Sequence, residues 1–147
     1  MKLKALSLAL SLAFSNLAMA AENDDKITVY KSPSCGCCGD WVKHLEDNDF
    51  DVEVHDTDNL NPIKREAGLT PALASCHTAF INGYAIEGHV PASDIRSLIE
   101  QAPKARGLTV PGMPVGSPGM EMGDSQDSYQ VLLYNEEGQT RVFAEYP

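Results

Sequence analysis

The chain has 147 residues, 43% of them hydrophobic and 22% charged, and its 21 acidic against 11 basic residues give a formal net charge of −10 at pH 7. An acidic balance of that size argues against nucleic acid and anionic lipid as partners. The length allows one domain with a substantial core and excludes two ordinary ones.

The chain opens MKLKALSLALSLAFSNLAMA. Lys2 and Lys4 precede an apolar stretch that ends in Ala18-Met19-Ala20, the charged, greasy, small-residue order of a secretory leader cleaved after Ala20. Ser7, Ser11, Ser15 and Asn16 break the apolar run, which falls short of the roughly 20 apolar residues a spanning helix needs. No cysteine follows the cleavage point to take a lipid. The reading is a signal peptide over 1–20 and a periplasmic protein over 21–147, with no membrane insertion after the leader is removed. No later segment is apolar enough to span a bilayer, and no internal repeat is visible.

Residues 26–30, KITVY, are β-branched and aromatic and stop at Ser32-Pro33, which predicts a strand. The next stretch, SPSCGCCGDW, crowds Cys35, Cys37 and Cys38 into four positions; the fourth cysteine of the chain, Cys76, stands far away. A stapling framework joins distant segments, and here at most one bridge could close a long loop. Neighbours Cys37 and Cys38 can pair only through a strained ring. Clustered thiols of this kind point to chemistry and not to scaffolding. Trp41, Val42 and Leu45 then recur at helical spacing, with Asp40, Lys43, His44 and Asp47 on the other face. The cysteines therefore fall at a strand-to-helix turn and in the first helical turn, where free N–H groups and the positive end of the helix dipole favour thiolate. Thiolate is both the nucleophile and the metal ligand.

Further along, FDVEVHD, 50–56, alternates Phe50, Val52 and Val54 and predicts a second strand. NPIKREAG, 61–68, predicts a helix capped by Asn61, with Pro62 in its first position and Gly68 as its stop. A hairpin is expected with strands near Thr78–Ile81 and Tyr84–Glu87 around Asn82-Gly83. Pro91 opens another helix, with Ile95, Leu98 and Ile99 on its buried face. Residues 107–127 form a Gly- and Pro-rich loop holding Met113, Met120 and Met122, and 129–147 predict a final hairpin around Asn135–Gly138. The order gives an α/β domain with a central sheet.

ITVYKSPSCGCCGDW resembles the active-site turn of the thioredoxin and glutaredoxin superfamily, with Cys35 and Cys38 on its C-x-x-C pair. HTAFINGYAIEG resembles that superfamily's segment from the cis-proline into the next hairpin, with His77 where the proline stands. The resemblance implies a thioredoxin-like central mixed sheet flanked by helices, the Met loop and the C-terminal hairpin being additions. It also implies that Cys76 lies beside Cys35 and Cys38. The missing proline and the added Cys37 point away from disulfide exchange and toward a soft ion: Cu(I), Zn(II) or an iron–sulfur cluster. Thioether sulfur is a poor zinc ligand and a good Cu(I) ligand, so the three methionines select copper.

The C-x-C-C turn, the distant Cys76-His77, GHVP around His89 and VPGMPVGSPGMEM behind a leader resemble the CopG family of periplasmic copper-resistance proteins, a domain long filed under unknown function. The resemblance implies Cu(I), more than one ion per chain, bridged by Cys35, Cys37, Cys38 and Cys76. It allows interconversion of Cu(I) and Cu(II), and exchange with other periplasmic copper-handling proteins. His77, His89, Met113, Met120 and Met122 are the further candidate ligands. His44 and His55 read as surface residues and Trp41 as core beneath the site. Without metal, the spacing of Cys35 and Cys38 suits one disulfide in an oxidising compartment. The alternative function is a periplasmic thiol–disulfide oxidoreductase, with Cys35 as nucleophile and Cys38 as resolving thiol.

Overall fold

The computed structural model describes residues 26–147, so the leader expected at 1–20 lies outside the described residues. Strand β1 (Lys26–Lys31) buries Ile27 and Val29 on one face, as its alternation demands. Helix α1 (Gly36–Glu46) starts among the cysteines and buries Cys38, Trp41, Val42 and Leu45. Strand β2 (Asp51–Asp56) runs parallel to β1 at the outer side of the sheet. There the expected alternation fades: Phe50 is buried and Val52 partly covered, while Val54 on this outermost strand is exposed.

Helix α2 (Asn61–Glu66) begins at the residue expected to cap it. The capping contact comes two positions earlier, from Asn59, whose side-chain oxygen accepts the Asn61 N–H at 3.2 Å. Strands β3 (Thr78–Ile81) and β4 (Tyr84–Glu87) form the expected hairpin, with Asn82 and Gly83 both at positive φ, 48° and 79°. Helix α3 (Ala92–Gln101) follows Pro91 and buries Ile95 and Leu98. Its first N–H, on Ala92, donates to His44 Nε2 at 3.1 Å. His44 is therefore half-buried between two helices and not the surface residue expected; His55 is exposed.

A short strand, β5 (Gly107–Thr109), occupies the first residues of what the sequence presents as a loop. It pairs parallel with β4 and carries β6 (Tyr129–Tyr134) and β7 (Thr140–Tyr146), the expected C-terminal hairpin. The result is one seven-stranded mixed sheet in the order β2-β1-β3-β4-β5-β6-β7. This is the thioredoxin-like α/β layout with the hairpin added to its edge. One face packs Trp41, Leu45, Ile95 and Leu98 from α1 and α3 against Ile27, Val29, Ile86 and Leu108. The opposite face holds a smaller cluster of Ala67, Leu73, Ala85 and Tyr134.

Register decides where the chemistry collects. β3 is antiparallel to β1 with Thr78 opposite Tyr30, so the chain entering β3 meets the chain leaving β1. Glu87 lies opposite Thr78 on one side and Thr109 on the other, so β4 and β5 end at the same rim. The start of α1, residues 75–77, residues 88–89 and the loop after β5 all gather there.

Candidate metal centre

The three cysteines of the turn and Cys76 bring their sulfurs within 4.8 Å of one another. Cys35 stands at the N-cap of α1 with no side-chain capping bond, and Cys37 and Cys38 lie in its first turn. Cys35 and Cys38 are joined in a disulfide, the pairing expected without metal, while Cys37 and Cys76 are free thiols. Cys35 Sγ lies 3.5 Å from Cys37 Sγ. Cys38 is fully buried and the other three are half-buried, so the cluster is sheltered with one open side.

Cys76 also belongs to a second group. Its sulfur lies 3.2 Å from His77 Nδ1 and 3.1 Å from His89 Nε2. The candidate ligand atoms of Cys76, His77 and His89 fall within 4.8 Å of one another, with both imidazoles fully buried. His89 Nδ1 donates to the Pro118 carbonyl at 2.8 Å. Since a carbonyl only accepts, Nδ1 carries the proton and Nε2 presents its lone pair to the cysteines. His77 lies against Trp41 with ring centroids 4.3 Å apart and planes tilted by 39°, and Trp41 donates its indole N–H to the Val90 carbonyl at 2.9 Å. Trp41 is thus core beneath the site, as expected.

Burial sets the protonation states. It pushes His77 well below the usual imidazole range, helped by the neighbouring His89 and Lys64, and it lowers His89 as well. Both rings are held neutral, the form that ligates. Burial also pushes the Cys76 thiol up to about 11, with the nearby Cys37 adding to the rise and Ser75 opposing it. A free Cys76 therefore keeps its proton near neutral pH, and a soft cation taking its sulfur must displace it. Among the described residues His77 Nε2 is the one buried side-chain nitrogen or oxygen without a hydrogen-bond partner. With the Cys35–Cys38 bridge opened, four convergent sulfurs and two neutral imidazoles fit a soft metal ion better than they fit a structural core.

The Met loop reaches this rim through its backbone. Gly119 takes φ +83°, and a Cβ there would meet Trp41 N at 2.7 Å and Cys37 O at 2.8 Å. Gly119 therefore rests directly on the first turns of α1, a contact only glycine allows. Met120 follows half-buried, and Met113 and Met122 stand exposed, 51% and 63%. Sequence reasoning missed the Pro118 carbonyl, a backbone group in a loop, and Glu87, which is fully buried. A groove of about 800 Å³ between Val110–Pro114 and the C-terminal hairpin is lined by neither cysteine nor histidine.

A family model described as "Protein of unknown function, DUF411" matches residues 73–120, the span from Leu73 through Met120. No curated protein matches the chain. Two solved structures do. "Copper resistance protein copG- Form 2" is 51% identical with a TM-score of 0.79, over 83% of this chain and 98% of that one. "Copper resistance protein copG- Form 1" is 52% identical with a TM-score of 0.79, over 83% of this chain and 97% of that one.

Proposed function

This chain belongs to the CopG family of copper resistance proteins, and from that premise we propose that it holds Cu(I) in the periplasm as a cysteine-bridged cluster of more than one ion. The observation that carries the reading is the convergence of four sulfurs within 4.8 Å. A thiolate can bridge two cations, so four of them in that space hold several Cu(I) ions with few further donors. His77 and His89 add neutral imidazole nitrogens, and Met113, Met120 and Met122 offer thioethers on the loop that crosses the rim. Copper is cargo here, taken from and passed to other periplasmic copper-handling proteins.

The Cys35–Cys38 disulfide gives the site a way to change the oxidation state of that cargo. Closing the bridge from two thiolates releases two electrons, which balances the reduction of two Cu(II) to Cu(I). Opening it takes two electrons back. The same bridge supports the second reading, a thiol–disulfide oxidoreductase with Cys35 attacking and Cys38 resolving.

Titration of the reduced protein with Cu(I) against a competing chelator separates these readings. The expected result is more than one copper per chain, with little reduction of insulin disulfides by the metal-free protein. An end point at one copper per chain would overturn the cluster. Efficient insulin reduction with weak copper binding would establish the oxidoreductase instead.

A further inference from the structure

Glu87 ends β4 with its side chain fully buried, and its carboxylate's hydrogen-bond partners are Ser75 and Thr78, on either side of Cys76 and His77, and Lys64. Its Oε1 accepts the Ser75 backbone N–H at 2.6 Å and pairs with Lys64 Nζ. Its Oε2 accepts the Thr78 hydroxyl at 2.6 Å. Lys64 Nζ also donates to Thr78 Oγ1 at 3.2 Å, closing a ring of polar contacts. Ser75 and Thr78 bracket Cys76 and His77, so one carboxylate grips the turn on both sides of the two ligand candidates.

The backbone around it completes the clamp. Gly88 N–H donates to the His77 carbonyl at 3.1 Å, and Gly112 N–H to the Ala74 carbonyl at 3.2 Å. Gly88 takes φ +72°, and a Cβ there would lie 2.5 Å from Ser75 Oγ and 2.7 Å from the Val110 carbonyl. The close approach that lets Glu87 reach Ser75 therefore needs glycine next to it. A buried ion pair is a poor source of stability compared with apolar side chains of the same volume, and its best-attested use is to fix one arrangement among several. Beside these backbone bonds and the Ser75 hydroxyl on the Gly112 carbonyl, Glu87 is the side chain that grips the 75–78 turn at both ends.

We propose that Glu87 is a positioning residue for the metal site: its carboxylate, braced by Lys64, ties Ser75 to Thr78 and so aims Cys76 and His77 at the cysteines of α1. The consequence for copper rests on the function proposed above, whereas the effect on the turn stands without it. Glu87→Leu removes both grips. Glu87→Gln keeps one acceptor for the Ser75 N–H, and Thr78→Val removes the far grip while sparing the Lys64 pair. Leu98→Ala, a buried residue of α3, serves as the control for general loss of stability.

Two measurements on the full chain decide it. Cu(I) affinity by chelator competition is expected to fall on the order of tenfold to a hundredfold in Glu87→Leu, the range found when partners behind metal ligands are removed. Glu87→Gln and Thr78→Val should lose less, and Leu98→Ala should match the wild type. In the metal-free, disulfide-closed protein, iodoacetamide should alkylate Cys76 several-fold faster in Glu87→Leu and Thr78→Val than in the wild type, with Cys37 unchanged as the internal reference. Should Glu87→Leu fail to fold, Thr78→Val and Glu87→Gln carry the test. Wild-type copper affinity and wild-type Cys76 alkylation in those two variants would overturn the proposal. If the wild type itself binds no Cu(I), the copper reading falls, and the alkylation comparison still decides the role of Glu87.

Discussion

The two sides of the cysteine pocket are held in different ways. Cys35, Cys37 and Cys38 sit at a helix start with no side-chain cap, and Gly36 and Gly39 between and beside them face open space. Cys76, His77 and His89 are instead fastened by the buried Glu87, by the Pro118 carbonyl and by the face of Trp41. The first side is free to change its bonding and carries the disulfide. The second is held by those contacts, with its imidazoles neutral and its thiol protonated. A site that takes up and releases soft cations needs both properties: one side that rearranges and one that keeps the geometry.

That contrast is broken most directly at Cys76. Cys76→Ser removes the one sulfur that belongs both to the four-cysteine group and to the Cys76–His77–His89 group. Bound copper per chain should fall, and Cu(I) affinity should drop by at least about tenfold, the lower end of what losing even an indirect partner costs. Secondary structure should barely change, because the side chain serves the rim and not the core. Equilibrium dialysis with metal analysis under reducing conditions measures this. Wild-type copper content would mean that the helix-start trio binds alone and the fixed side is idle.

Gly119→Ala tests the loop that joins the two sides. Its added Cβ meets backbone at Trp41 and Cys37, and neither atom can swing away as a flexible side chain could. The φ of +83° adds a strain that alanine tolerates poorly, so stability should fall by roughly 1–3 kcal/mol. The loop should lift, taking the Pro118 carbonyl from His89, and copper affinity should fall with it. An unchanged melting temperature together with unchanged affinity would show that the loop does not rest on the site in solution.

The two sides also differ in how far the sequence reveals them. The helix-start side is written locally: a β-branched strand, a Ser-Pro break, three thiols and an amphipathic run place it without reference to anything distant. Cys76 carries no such local sign. Its arrival depends on Thr78 pairing with Tyr30 across β1 and β3, a tertiary fact reached beforehand only through resemblance to the thioredoxin fold. Glu87 was hidden for a physical reason, since a glutamate closing a short strand reads as solvent-facing unless its lysine and its backbone donor are known. β5 escaped because three residues, one of them glycine, lie below the length at which alternation can be seen. His44 looked solvated by its helical spacing, and only the docking of α3 makes it an acceptor.

His44 gives a smaller effect with a definite sign. Burial lowers its pKa below the ordinary 6.5, with Glu121 and Asp47 opposing in part. The unfolded chain therefore binds a proton at His44 before the folded chain does. Its contribution to stability is complete above about pH 6.5 and is lost as the pH falls through the lower folded value. Protonation also ends the acceptance of the Ala92 N–H. Denaturant midpoints of the metal-free protein should decline as the pH drops from about 6.5 toward the lower folded value, and part of that decline should vanish in His44→Gln, whose amide oxygen can still accept. Equal pH profiles for the two proteins would show that the α1–α3 contact does not depend on a neutral imidazole.

The smallest effect is expected at Met113, and it sharpens the comparison best. Its side chain is 51% exposed on the loop after β5. Met113→Leu keeps the volume and removes the sulfur, so stability should stay within about 0.5 kcal/mol of the wild type. A thioether is neutral and does not readily bridge two cations, whereas a thiolate is charged and does. Its loss should therefore weaken Cu(I) binding less than Cys76→Ser and leave the number of bound ions unchanged. Met120→Leu, next to Gly119 where the loop rests on α1, should cost more than Met113→Leu if nearness to the rim governs the thioethers. Competition titrations of the three variants side by side order them. If Met113→Leu lost as much copper as Cys76→Ser, the exposed loop would be folding over the cargo and supplying a principal ligand. The fixed side of the pocket would then no longer be the part that decides affinity.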